Sequence, residues 1–215
     1  MIITVFCSSA GHPVYPYLVD WSERRGGIHL TTDIDDLKGG DILFLLSVNE
    51  IISEKVLNKY NRSYVLHASD LPKGRGWSPH IWEILGGADE ITVSLFEAKG
   101  KVDSGDIYGQ EKIRLDGSEL YDEINERLFN AELRLMESAI ADHPLEGRPQ
   151  VGEPTFYKKR QPEDSQLDPY KNIISQFNLL RVADYYRFPA YFIIGSQRYN
   201  IKLEKINKEE DKHGK

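Results

Sequence analysis

The stretch from Val65 to Tyr108 most limits how this chain can fold, because two loops rich in ionisable groups interrupt runs of buried-strand character. It opens with V-L-H-A-S-D-L-P-K-G-R-G-W-S-P-H-I-W and closes with L-F-E-A-K-G-K-V-D-S-G-D-I-Y. His67 stands where an apolar run ends, and Pro72, Gly74 and Gly76 enforce a turn directly after it. Asp103 returns on a second loop, between two further strand patterns. The pairing of this imidazole with this carboxylate is the central expectation.

The flanking segments supply the frame. Ile2–Phe6 reads as a buried strand running into the small-residue loop Cys7-Ser8-Ser9-Ala10-Gly11. That loop lacks both G-x-G-x-x-G and the G-K-S/T ending of a phosphate loop, so it reads as a plain strand-to-helix turn. A helix is expected from Pro16 to Arg25, stopped by Gly26-Gly27, and a short strand over Ile28–Leu30. Asp41–Leu46 is a buried strand, Ser53 caps a helix to about Lys59, and Ser63–His67 is the next strand. This alternation predicts an α/β domain with a mainly parallel sheet, whose functional groups gather at the carboxyl ends of its strands.

Further on, Pro79–Leu85 is a short helix, and Thr92–Phe96 and Ile107–Leu115 form an antiparallel pair around the Asp103 loop. Ser118 is expected to cap a long helix whose Leu120, Ile124, Leu128, Ala131 and Leu135 share one apolar face. Past Asp142 the character changes, with five prolines between 143 and 172 and little periodicity. The expected organisation is therefore a core over 1–142 and an arm over 143–215. The arm carries a helix over Ile173–Val182, a hairpin of Pro189–Ile194 with Tyr199–Leu203, and a charged, frayed tail. Tyr185, Tyr186 and Tyr191 are read as exposed aromatics through which a homodimer could form.

Charge and cysteine content set limits on function. The net charge of -7 argues against a broad nucleic-acid footprint, which needs a basic face, but leaves room for an anionic small molecule held by a few local cations. Cys7 is the sole cysteine, which excludes a disulfide framework and fits a reducing, cytoplasmic setting; it reads as a structural thiol. No signal peptide pattern and no membrane-length apolar run occurs, so no membrane partner is expected.

His67 is followed by Asp70, Lys73 and Arg75, and the second loop brings Lys99, Lys101, Asp103 and Asp106. A histidine transfers protons near neutral pH, and a carboxylate beside it fixes the tautomer and stabilises the charged ring. The remaining histidines (His12, His29, His80, His143, His213) show no metal-ligand spacing, and G-x-S-x-G is absent, so neither a metal site nor a serine hydrolase is expected.

The segments H-A-S-D-L-P-K-G-R-G and V-D-S-G-D-I resemble the N10-formyltetrahydrofolate-dependent formyltransferases. The resemblance is specific over residues 41–115 and looser outside. It implies a Rossmann-like formyltransferase core with His67 and Asp103 as catalytic residues, Asp106 as a structural acid, and N10-formyltetrahydrofolate as co-substrate. Folate would lie along Leu46, Ser47, Val48 and Asn49 and along Glu97, Ala98, Gly100 and Val102. The family usually has an asparagine two residues before the histidine, donating to the oxyanion, where this chain has Val65. An apolar side chain cannot donate, so the task would pass to Asn49, to backbone amides or to a protonated His67.

The C-terminal third resembles the nucleotide-sugar N-formyltransferases, through G-E-P-T-F-Y-K-K-R-Q-P-E-D-S-Q-L-D and Q-F-N-L-L-R-V-A-D-Y-Y-R-F-P-A-Y-F. Nothing like the basic barrel domain of methionyl-tRNA formyltransferases follows Asp142, and the histidine comes unusually early, as though part of the larger N-terminal domain were missing. The resemblance implies formyl transfer to the amine of a nucleotide-linked amino sugar, as in pseudaminic-acid-type pathways within polysaccharide biosynthesis. Ser69, Lys73, Arg75, Arg160 and Arg181 would bind that substrate, with Lys158 and Lys159 also available to its diphosphate. Glycinamide ribonucleotide-type or methionyl-tRNA-type formylation, and a non-catalytic folate or sugar-nucleotide binding module, are the alternatives.

Overall fold

The computed structural model describes residues 1–99, 102–143 and 145–206. Its frame is a six-stranded sheet of order β2-β1-β3-β4-β6-β7. The strands are β1 (Ile3–Cys7), β2 (Ile28–Thr31), β3 (Gly40–Leu46), β4 (Tyr60–His67), β6 (Glu90–Glu97) and β7 (Ile107–Arg114). β2, β1, β3 and β4 run parallel, whereas β6 and β7 are added antiparallel. Helices α1 (Tyr15–Arg25), α2 (Glu54–Leu57), α3 (Pro79–Leu85) and α4 (Tyr121–Ala141) connect and cover the strands. The sheet is the mixed α/β arrangement expected from the alternation of patterns.

The central strand shows why both faces need covering. In β3, Ile42, Phe44 and Leu46 join the main core beneath α1 and α4, while Leu43 and Leu45 join a second cluster with Phe6, Ile52 and Tyr60. A strand buried on both faces reads as a continuous apolar run, which is the pattern D-I-L-F-L-L shows. α1 is tied to α4 by Trp21, whose indole N–H donates to Glu137 Oε1 at 2.7 Å. Among the described residues no helix is long and apolar enough to cross a membrane.

Four local expectations need correction. α4 starts at Tyr121 rather than after Ser118. Ser118 N–H is held by Asp116 Oδ1 at 2.8 Å in a local turn, and Glu123 Oε2 accepts the Leu120 N–H at 2.8 Å. The expected α2 from Ser53 shrinks to four residues, and the Ser53 side chain makes no cap bond. The expected helix over Ile173–Val182 splits into a 3-10 turn over Ile174–Gln176 and α5 (Phe177–Arg181). Asn172 captures both the Ser175 amide and the Ser175 hydroxyl there, a side-chain competition that disfavours a regular helix start. Finally, Tyr191 is buried beneath Arg198 and cannot serve as an exposed dimer contact. Tyr185 and Tyr186 are exposed but lie ahead of the hairpin rather than on it.

The arm returns to the core at two places. Short strands β5 (Arg75–Gly76) and β8 (Phe156–Tyr157) pair in parallel, and Arg148 bridges Ile107 in antiparallel fashion. The hairpin of β9 (Ala190–Ile194) and β10 (Gln197–Ile201) has its own small cluster with Leu167, Leu180 and Ala190. Glu119 locks the arm to the start of α4. Its buried carboxylate accepts the Asp116 and Gly117 amides and pairs with Arg127 and with the equally buried Arg181 at 3.3 Å. Glu119→Ala would leave the Arg181 guanidinium buried and uncompensated, so it is expected to cost about 3–5 kcal/mol. Urea denaturation monitored by tryptophan fluorescence measures this loss.

Candidate active site

His67 is the last residue of β4, opposite Ser94 of β6. The chain then doubles back, and the imidazole Nε2 lies 2.9 Å from the carbonyl oxygen of Gly74. A carbonyl only accepts, so Nε2 carries the proton and the neutral ring keeps its lone pair on Nδ1. Gly74 sits at φ 71 and Gly76 at φ 99, left-handed values that a side chain would strain. A Cβ on Gly76 would also stand 2.4 Å from the Tyr157 carbonyl oxygen, so only glycine permits the β5–β8 contact.

Asp103 enters from the β6–β7 loop. Its Oδ2 accepts the Gly76 N–H at 3.0 Å and lies 3.8 Å from His67 Nε2. Both side chains are nearly nine-tenths buried. Asp103 itself adopts φ 52, and Gln150 stabilises that turn by donating to the carbonyls of Asp103 (3.0 Å) and Gly105 (2.8 Å). Gln150 Oε1 in turn accepts from Arg75 at 2.6 Å, and Thr155 accepts the Gly74 amide at 2.8 Å. The structure brings together the histidine and the aspartate that the sequence analysis paired, using residues of the arm to do so.

A cavity of about 730 Å³ opens beside this pair, at the carboxyl ends of β1, β3 and β4. Of the other expected site residues, Ser47, Val48, Asn49, Val102 and Arg160 line it. Val65 lines it too, and offers no donor. Leu46 points into the main core, leaving the lining to Leu45, because side chains alternate along the strand. Glu97 pairs with Lys99 at 2.7 Å, Ala98 packs on the second cluster, and neither reaches the cavity. Gly100 lies outside the described residues. Ser69 is fully buried below the turn, Lys73 is exposed and Arg75 is occupied by Gln150, so none of the three lines the cavity. Arg181 is consumed by Glu119 and Asn178, and Lys158 by Asp164.

The opposite wall holds groups that the sequence analysis did not single out. His12, His80, Glu132, Asp184 and Arg187 all line the cavity. Burial, with Arg187 nearby, pushes His12 down to about 4, against the opposing pull of Asp184. Burial, reinforced by His67, His12 and Arg160, pushes His80 down to about 3. Burial alone pushes Glu132 up to about 8. Arg187 donates to Asp184 and to the Tyr121 hydroxyl, whereas Arg160 has no carboxylate partner among the described residues. Arg160 is 8% exposed as a residue; its guanidinium donates to Ser165 Oγ at 2.8 Å and leaves Nε without a partner. Lys159 stands 4.6 Å over the Trp77 ring at the same end. Only His12 carried a usable signal, since it directly follows the small-residue loop after the first strand; the others lie on helices or in the arm, where spacing does not report a shared cavity.

The residues 30–140 match the model of the family described as formyl transferase. The chain belongs to that family. Among solved structures, it is similar to a methionyl-tRNA formyltransferase from Clostridium thermocellum (19% identity, TM-score 0.80, covering 96% of this chain and 94% of that one). It is also similar to a sugar N-formyltransferase from Shewanella sp. (13% identity, TM-score 0.71, covering 95% and 98%). A third likeness is to HypX from Aquifex aeolicus in complex with tetrahydrofolic acid (19% identity, TM-score 0.71), where the match covers 92% of this chain and 36% of that one. At such identities the likeness speaks to fold.

The depressed histidines have a measurable consequence. Folded His80 stays neutral down to about pH 3, whereas an unfolded histidine protonates near 6.5. Its contribution to stability is therefore complete above 6.5 and is lost as pH falls through that window. Relative to His80→Phe, the wild-type protein should gain up to about 1.4 kcal/mol per pH unit between pH 4 and 6, read from paired urea titrations.

Proposed function

We propose that this chain transfers a formyl group from N10-formyltetrahydrofolate to the amine of a nucleotide-linked amino sugar. The observation that carries this reading is the joint presence, in one cavity, of the His67–Asp103 pair and the unpaired buried Arg160. A proton-handling pair and a cation reserved for an anion are what an amine acceptor with a diphosphate requires. The tetrahydrofolic acid held by HypX and the acceptor class of the Shewanella enzyme support the two halves of the reading.

The residues present fit a folate. The cavity is within the size range that encloses a cofactor-sized ligand, with apolar lining from Leu45, Val65 and Val102. Ser47, at φ 51, turns the chain after β3 so that Ser47, Val48 and Asn49 edge the cavity. When bound, the folate supplies an activated one-carbon unit.

His67, with Nε2–H anchored on Gly74, presents Nδ1 as the nitrogen that takes the proton released by the acceptor amine. Asp103, 3.8 Å from the ring, stabilises the positive charge so formed. Arg160 and Lys159 hold the acceptor's diphosphate by charge-assisted bonds. Val65 cannot serve as the oxyanion donor, so the protonated His67 or Asn49 takes that part. The finer acceptor we favour is UDP-4-amino-4,6-dideoxy-N-acetyl-altrosamine, the pseudaminic-acid type. The similarity to a methionyl-tRNA formyltransferase keeps that acceptor as the second reading, against which the acidic net charge argues.

A turnover assay with N10-formyltetrahydrofolate against UDP- and dTDP-linked amino sugars, glycinamide ribonucleotide and methionyl-tRNA tests the proposal. Tetrahydrofolate release with a formylated sugar nucleotide is expected. His67→Asn and Asp103→Asn should each slow it by about 10²–10⁴-fold. Near-normal turnover in either variant, or formylation of methionyl-tRNA alone, would contradict it.

A further inference from the structure

α4 carries a carboxyl where its packing calls for an apolar side chain. Glu132 follows Leu128 by four residues and precedes Met136 by four, so it shares their inward face. It is 8% exposed and lines the same cavity as His67 and Asp103, next to Leu128 and Phe129. Among the described residues it forms no hydrogen bond and no ion pair. Every other buried carboxylate on this side of the molecule is engaged: Glu119 by Arg127 and Arg181, and Asp184 by Arg187. A buried polar group without a partner destabilises the fold, and it persists where a ligand completes it.

Building on the formylation reading, we propose that Glu132 is an acceptor-recognition group that exchanges hydrogen bonds with a ring hydroxyl of the acceptor sugar. Three features select that ligand chemistry. The carboxyl projects from α4, which also gives the cavity Phe129, whose ring centroid lies 6.3 Å from His12, and Tyr121, bonded to Asp184 and Arg187 of the arm. Among the described residues no protein group bonds the carboxyl, so a ligand group that satisfies it must itself be polar. Burial holds the carboxyl well above the usual carboxylate range, toward the neutral form that both donates and accepts, and a hydroxyl can answer in either role.

The test uses the full chain, with UDP-4-amino-4,6-dideoxy-N-acetyl-altrosamine as the first probe and any faster acceptor from the panel above as the second. Glu132→Met is expected to lower kcat/KM for the acceptor by about 100-fold or more, mainly through KM, because a site built to bond a hydroxyl suffers when its partner is lost. The KM for folate should hold. The same variant should melt about 2–4 °C higher, having shed an unpartnered polar group, and its advantage should widen from pH 5 to pH 8, where the unfolded wild-type carboxyl is ionised and the folded one still holds its proton. Glu132→Gln, which still donates and accepts, should stay within about tenfold of wild type. A Met variant that turns over the acceptor within twofold of wild type would overturn the proposal. So would a Met variant that melts lower and loses activity in proportion, as a structural residue would, or a Gln variant as impaired as the Met variant. Lack of turnover by the wild-type protein would strike the formylation reading, and this inference with it.

Discussion

The contact between His67 Nε2 and the Gly74 carbonyl, 2.9 Å, is the constraint on which the rest of the site depends. It fixes the ring tautomer and requires the chain to reverse within a few residues of the strand end. That reversal rests on glycines at φ 71 and φ 99, and on the arm strand that packs where a Cβ would otherwise stand. The arm thus helps to shape the loops that carry His67 and Asp103. Thr155 holds the Gly74 amide, and Gln150 holds the carbonyl of Asp103, so the imidazole and the carboxylate are oriented from outside the sheet that carries them.

The cavity is electrostatically divided. His67 and Asp103 stand together, and the edge beside them is lined by Leu45, Val65 and Val102 with the short polar turn at Ser47–Asn49. The far end concentrates cations, of which Arg187 is neutralised by Asp184 and Arg160 is not. Among the described residues Arg160 is buried with a hydrogen bond to Ser165 and no ion-paired acid, Asp164 acting on it at longer range. His12 and His80, both held well below the ordinary histidine range by burial, line the same cavity without adding charge near neutral pH.

The sheet and the central pair were legible in the sequence because they rest on local rules. Continuous apolar runs marked β3 and β4, and the Pro/Gly turn after His67 marked a strand end. The antiparallel pairing of β6 with β7 followed from two strand patterns around one loop. What escaped notice depends on tertiary placement. Leu46 was read with the loop it precedes, but the two-residue period turns it to the core. Arg181, expected to bind the substrate, is instead paired with Glu119, far away in sequence. Glu132 was hidden within an amphipathic pattern in which a charged residue ordinarily faces water. Ser118 and the segment after Asn172 show the converse, where short-range side-chain bonds overrode a plausible helix start.

The most direct test is a crystal structure of the protein with 5-formyltetrahydrofolate and a sugar nucleotide bound together. The account predicts the pteridine along Ser47–Asn49 and Val102, its N10 side facing His67 and Asp103, and the diphosphate on Arg160. A folate bound away from His67, or a diphosphate that leaves Arg160 without a partner, would contradict it.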